Sequence, residues 1–258
     1  MGRFKLNLEY EGTRYTGWQI QKGGKTIQGE ITDACRNLFG TSEFELFGAG
    51  RTDSGVHARG QVAHLDVETE LPLLRIKYGI NDRLPPDISI LSVEEAGPKF
   101  HARHDAVARS YIYQISRRRT AFGKKFVWWI KDELDLKKMK EAATHFTGLR
   151  DFVSFTDPDQ EQSSTKVKIL HSELHEFGDM ILFHVIGSHF LWKQIRRMTG
   201  ILVETGRGNI DPAEMENFFT VPTNLPAKFT APPSGLFLDR VYYKDDDFDK
   251  DVNPVIYI

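Results

Sequence analysis

The alternation of apolar and polar positions predicts a strand at the start of the chain, where Phe4, Leu6, Leu8 and Tyr10 recur with period two. Helical spacing follows over residues 27–39 and stops before Gly40. Strands are expected near 44–48 and 61–67, joined by a glycine-rich run at 48–55. A short helix over 73–81 is closed by Leu84-Pro85-Pro86, and a strand returns at 88–93. The order is β-α-β-β-α-β. The second part reads the same way, with strands at 107–115, 167–177, 180–186 and 236–243 and helices at 136–146 and 192–204. Phe177-Gly178-Asp179 predicts a tight turn, and Asp211-Pro212 opens a further short helix. The fold class expected is α+β. It consists of two ferredoxin-like halves, residues 1–104 and 105–258, whose antiparallel sheets flank a central cleft. The halves share no sequence identity, and residues 156–164 are expected to form an exposed loop.

With 258 residues, 40 % hydrophobic and 27 % charged, the chain can bury a sizeable core, which excludes disorder for most of its length. Neither a bilayer-crossing run nor a signal-peptide core is present in the pattern, so a cytoplasmic protein without membrane association is expected. The lone Cys35 lies on the apolar stripe of the 27–39 helix and reads as core rather than as a catalytic thiol. A net charge of −2 argues against a basic coat, but the distribution is uneven. Between Lys99 and Lys131 nine cations face one acid, Asp105. Tyr111, Tyr113, Phe122, Phe126, Trp128 and Trp129 interleave with them. Cations for phosphates and flat rings for bases suit a polyanion-binding face, against the plainer reading of a solvated strand edge. Its candidate RNA contacts are Arg109, Arg117, Arg118, Arg119, Lys124 and Lys125. The acidic run at 244–251 is expected to be a solvated tail.

Residues 48–57 are too many for a two-residue hairpin turn, and they carry Asp53 between Arg51 and His57. No Gly-Lys-Ser/Thr follows, so the run is not a phosphate-cradling P-loop. Physics alone leaves an Asp-centred site and a bulged structural hairpin both open. The run Gly50-Arg51-Thr52-Asp53-Ser54-Gly55-Val56-His57-Ala58 resembles the active-site motif of the tRNA pseudouridine synthase A (TruA) family. Further matches come in the family's order. They are Tyr10-Glu11-Gly12-Thr13-Arg14-Tyr15-Thr16-Gly17-Trp18-Gln19, residues 81–85, Phe100-His101-Ala102-Arg103, Arg109-Ser110-Tyr111-Ile112-Tyr113, Asp151-Phe152, residues 190–200 and 233–238.

The resemblance implies isomerisation of uridine to pseudouridine in the anticodon stem-loop of tRNA, by a homodimer, without metal or redox cofactor. It implies catalytic roles for Asp53 as the essential carboxylate, for Arg196 as its partner and for Tyr111, which stacks on the target base. Substrate contacts are implied for Arg51, which helps displace the base, and for Leu236 as an apolar wall, and His57 is expected beside them. Tyr113, two residues from Tyr111, reads as core. Lys166, where many members have arginine, and His189-Phe190-Leu191-Trp192-Lys193 depart from the family's pattern. The pairs His101-x-x-His104 and His171-x-x-x-His175 lack the zinc-protease arrangement, so no metal is expected. The rival readings are a non-catalytic RNA-binding module of the same topology, and the same chemistry on another RNA position.

Overall fold

The structure is a computed structural model and describes residues 2–157 and 164–258; most of the expected 156–164 loop therefore lies outside the described residues. The chain divides into two compact units. One comprises residues up to 107 together with 237–247, and the other comprises 108–236 together with 248–258. A single cut at 104/105 does not capture this, because residues 237–247 belong with the first unit. The architecture is mixed α+β with mostly antiparallel pairing.

In the first unit β1 (Gly2–Tyr10) lies between β3 (His57–Val67) and β4 (Ile88–Glu95), antiparallel to both. Strand β2 (Phe44–Gly48) pairs with the far part of β3. The period-two reading holds residue by residue: Phe4, Leu6, Leu8 and Tyr10 are buried and the intervening side chains are not. The helices are α1 (Ile27–Phe39) and α2 (Leu73–Asn81). The Thr26 hydroxyl accepts the amide of Gly29 at 3.2 Å to begin α1, and Gly40, at φ 68°, ends it. Cys35 is fully buried, and loss of hydration pushes its thiol up to about 12, which leaves it inert as a nucleophile. Arg3 and Asp66 face each other across β1 and β3, and Arg3 also donates to the carbonyl of Phe100 at 2.8 Å.

In the second unit β5 (Ala108–Ser116) pairs with β9 (Met180–Gly187), β9 with β8 (Lys166–Phe177), and β8 with β7 (Gly148–Asp151), all antiparallel. The two-residue β6 (Trp128–Trp129) adds to β5 in parallel. One sheet face packs α3 (Leu136–Thr144) and α4 (Gln194–Gly206) around Phe146, Phe152, Phe155 and Phe183. The opposite face holds Ile112, Val127, Met180, Leu182 and Val252. Val252 shows that the chain beyond the exposed acidic run is not a free tail: it returns to the sheet, and the Val255 amide donates to the Gln114 side chain at 2.6 Å. Asp211-Pro212 opens the short helix expected there, a 3-10 helix over Pro212–Glu214 whose capping Asp211 side chain accepts the Ala213 amide at 2.9 Å. Strand β10 (Leu236–Tyr242), which from Phe237 onward belongs to the first unit, runs parallel to β3 at Phe237 and Leu238.

Candidate active site

In the first unit the loop between β2 and β3 is shorter than the hydrophobic pattern suggests, because β3 already begins at His57. Its backbone is held by the segment that follows β1. The amide of Trp18 donates to the Thr52 carbonyl at 3.1 Å, and the amide of Gly55 donates to the Tyr15 carbonyl at 3.2 Å. Inside the fold, the Tyr10 and Thr52 hydroxyls lie 2.8 Å apart. Asp53 is half-buried, and its carbonyl accepts the Val56 amide at 3.1 Å to close a turn in which Gly55 takes φ 77°.

Glycines make the close approach possible. A Cβ on Gly12 would overlap the Val56 carbonyl, and Gly17, at φ 114°, brings its Cα against Thr52, where a Cβ would stand 2.6 Å from the carbonyl oxygen. The bracing segment is itself anchored by Asp87, which accepts from the Tyr15 hydroxyl at 2.6 Å and from Arg14 Nε at 3.0 Å. Burial opposes the charge on Asp87, but these hydrogen bonds hold its carboxyl below the ordinary range.

His57 is 1 % exposed; its Nδ1 accepts the Gly12 amide at 3.0 Å and its ring stacks on Phe237 with centroids 4.8 Å apart. Glu11 Oε1 also approaches the same Nδ1, at 4.0 Å. His57 is thereby tied to the same bracing segment as the loop. Arg51 projects from the loop and is exposed.

The other expected site residues lie in the second unit. Tyr111 sits on β5 at 8 % exposure, and the Phe190 ring meets it edge-on at 5.2 Å and 79°. Tyr113, on the same strand face, is fully buried; its hydroxyl donates to the Pro232 carbonyl at 2.7 Å, and burial raises its phenol well above the ordinary value. Leu236 is buried at the start of β10.

Arg196 lies on α4. Its Nε donates to the Ala231 carbonyl at 2.7 Å, and the Ala231 amide returns a bond to the Arg196 carbonyl at 3.0 Å. The neighbouring Arg197 is more deeply placed, 3 % exposed and paired with Asp157. Asp157 also receives Lys193 Nζ at 3.3 Å.

The six candidate RNA-contact residues separate. Arg117 donates to Glu176 at 2.8 Å and Arg118 lies 3.4 Å from Asp179, so an acid near the end of β8 and one in the β8–β9 turn already offset both charges. Arg109 donates to the Ser188 carbonyl at 3.1 Å. Arg119 lies over the Trp129 ring at 5.8 Å, beside an open cavity of about 640 Å³ that Lys124 also lines. Lys125 and Phe122 are exposed nearby in sequence, Phe122 at 98 %. The sequence reading missed the parts played by Gly12, Gly17 and Asp87; the glycines inside the opening motif were the available signal.

A braced carboxylate loop thus lies in one unit, and the exposed cations and ring Arg119, Lys124, Lys125 and Trp129 lie in the other. The sequence model of the tRNA pseudouridine synthase family matches residues 8–105 and 142–244. The chain is 40 % identical to tRNA pseudouridine synthase A of Geobacter sulfurreducens, over 94 % of this chain and all of the relative. It is 36 % identical to tRNA pseudouridine synthase A of an Exiguobacterium species, over 95 % of this chain and 99 % of the relative. It is 34 % identical to tRNA pseudouridine synthase A 2 of Clostridium perfringens, over 94 % of this chain and all of the relative. The chain belongs to the tRNA pseudouridine synthase family.

Proposed function

We propose that this chain isomerises uridine to pseudouridine in the anticodon stem-loop of tRNA, with Asp53, Tyr111 and Arg196 as its catalytic residues. The reaction breaks the C1′–N1 bond, turns the freed base and joins C1′ to C5, after which the C5 proton leaves. Asp53 acts on the ribose, either by attacking C1′ or by taking a ribose proton; a rate sensitive to deuterium at C2′ selects the second route. A cation favours the charged form of a partly buried carboxylate, and that role is assigned to Arg196. Tyr111 offers its ring to the base, Leu236 an apolar wall, and Arg51 helps move the base out of its stack, which costs a few kcal/mol. His57 supports the loop by fixing Gly12.

The observation that carries this reading is the bracing of the Asp53 loop by Gly12, Tyr15, Gly17 and Trp18, in a chain of this family. A rigid, half-buried carboxylate serves chemistry and is superfluous in a passive RNA-binding module. Both halves are read as ferredoxin-like; the succession β-α-β-β-α-β and the order β4-β1-β3-β2 support this for the first unit. The proposal extends to a homodimer acting in the cytoplasm, with tRNA gripped by Arg109, Arg119, Lys124 and Lys125 and with neither metal nor redox cofactor in the chemistry. The test is release of tritium from tRNA labelled at uridine C5. Asp53→Asn should abolish it while leaving tRNA affinity within a few fold; substantial turnover by the variant removes Asp53 from the catalytic role.

A further inference from the structure

On β8, residues 171, 173 and 175 share one sheet face, since side chains alternate with period two. The register sets His184 of β9 directly opposite Glu173. One ring nitrogen from each of His171, His175 and His184 lies within 4.8 Å of the other two. Nε2 of His171 and of His175 are both shut off from solvent and have no hydrogen-bond partner among the described residues. Buried nitrogens ordinarily have one, so two of them converging on a third imidazole call for an explanation. Glu173 Oε2 stands 3.8 Å from His171 Nε2 and 3.7 Å from His175 Nε2. The outer side of the cluster is also arranged: Ser110 Oγ on β5 lies 2.9 Å from His184 Nε2.

We propose that His171, His175 and His184, with Glu173 as fourth ligand, form a structural site for a divalent transition metal, zinc above all, that clamps β8 to β9. Zinc–nitrogen bonds of 2.0–2.1 Å place tetrahedral ligand atoms roughly 3.3 Å apart. The spacings here need only an inward adjustment of side chains, three of which are at least partly exposed. Three imidazoles and a carboxylate suit zinc and its neighbours, whereas calcium and magnesium prefer oxygen. Four protein ligands leave no open coordination position, which fits a staple and not a catalytic metal. The Ser110 hydroxyl, accepting from Nε2–H, would fix the ligating tautomer of His184. The helical zinc motif is the wrong template here: ligands two and four apart on a strand meet a fourth residue supplied by the neighbouring strand.

The experiment uses the full chain, stripped with a chelator and desalted. One equivalent of Co²⁺ should bring up the visible absorption of a four-coordinate site, and zinc should displace it. Zinc at a hundred times its Kd should raise the melting midpoint by roughly 5–10 °C, and magnesium should not. The variant His171→Gln/His175→Gln should lose the absorption and the shift, and Ser110→Ala should weaken binding by about 10–100-fold. If the double variant does not fold, zinc protection of His171 and His175 from diethyl pyrocarbonate, mapped by peptide mass, tests the same ligands in the unmodified chain. Absence of a four-coordinate cobalt spectrum, an equal zinc shift in the folded double variant, or unprotected histidines would overturn the site.

Discussion

Gly17→Ala tests whether the bracing segment sets the position of Asp53. Two separate costs follow from the geometry. An alanine at φ 114° enters a region L-residues rarely adopt, at about 1–2 kcal/mol. Its Cβ would also stand 2.6 Å from the Thr52 carbonyl oxygen, where real Cβ atoms essentially never come closer than 3.0 Å, so the loop must move by several tenths of an ångström one residue away from Asp53. Overpacking of this kind adds about 1–3 kcal/mol. A displacement of 1 Å at reacting groups costs on the order of 100-fold in rate, so this smaller one should lower kcat by about tenfold. Binding of tRNA, which depends on many cations elsewhere, should hardly change.

Two controls divide the costs. Gly23, at φ 80°, has nothing within 4 Å of its Cβ position, so Gly23→Ala shares the strain without the clash and should lose stability only. Gly97 has neither, and Gly97→Ala should be silent. Single-turnover tritium release with saturating enzyme, beside urea melts of each variant, separates rate from stability. Wild-type single-turnover rates in Gly17→Ala, or an equal rate loss in Gly23→Ala, would refute the bracing argument.

Other expectations rest on the same structure. Arg197→Ala should destabilise the protein by about 1–3 kcal/mol in urea melts, since this arginine is the buried one, whereas Arg196→Ala should act mainly on rate; the opposite ordering would mean that Arg196 carries the packing. Burial, followed by His101 and Arg3, lowers the His64 pKa to about 4. Between pH 6.5 and 4 the unfolded chain therefore binds the extra proton, so this contribution to stability is complete above pH 6.5 and is lost on acidification. The loss runs at up to about 1.4 kcal/mol per pH unit, and His64→Gln should flatten it in melts at pH 7 and 5. Replacing Arg119, Lys124 and Lys125 with glutamine should reduce the slope of log K for tRNA against log salt by about 0.7–0.9 for each phosphate that is no longer neutralised. The Arg117/Arg118 pair should matter less, because Glu176 and Asp179 already engage it.

The chain's own pattern determined the elements that repeat a period. The alternation in β1, the apolar stripe of α1 and the turn at Gly178 each arise from interactions within a few residues, so they are readable from the sequence. The Asp53 loop was legible for a different reason: glycines and charges concentrated where two strands should meet resemble one family's motif. Features that depend on distant chain segments were not legible. That 237–247 joins the first unit, that Val252 returns to the second unit's sheet, and that Arg197 is buried while Arg196 is less so follow from packing between residues far apart in sequence. Arg117 and Arg118 look like free cations until the β8–β9 turn brings Glu176 and Asp179 beside them. His171 and His175 look like a failed helical motif until the register of β9 supplies His184. Local periodicity records which face of an element is apolar, but it carries no register, and register decides which charges and ring nitrogens meet.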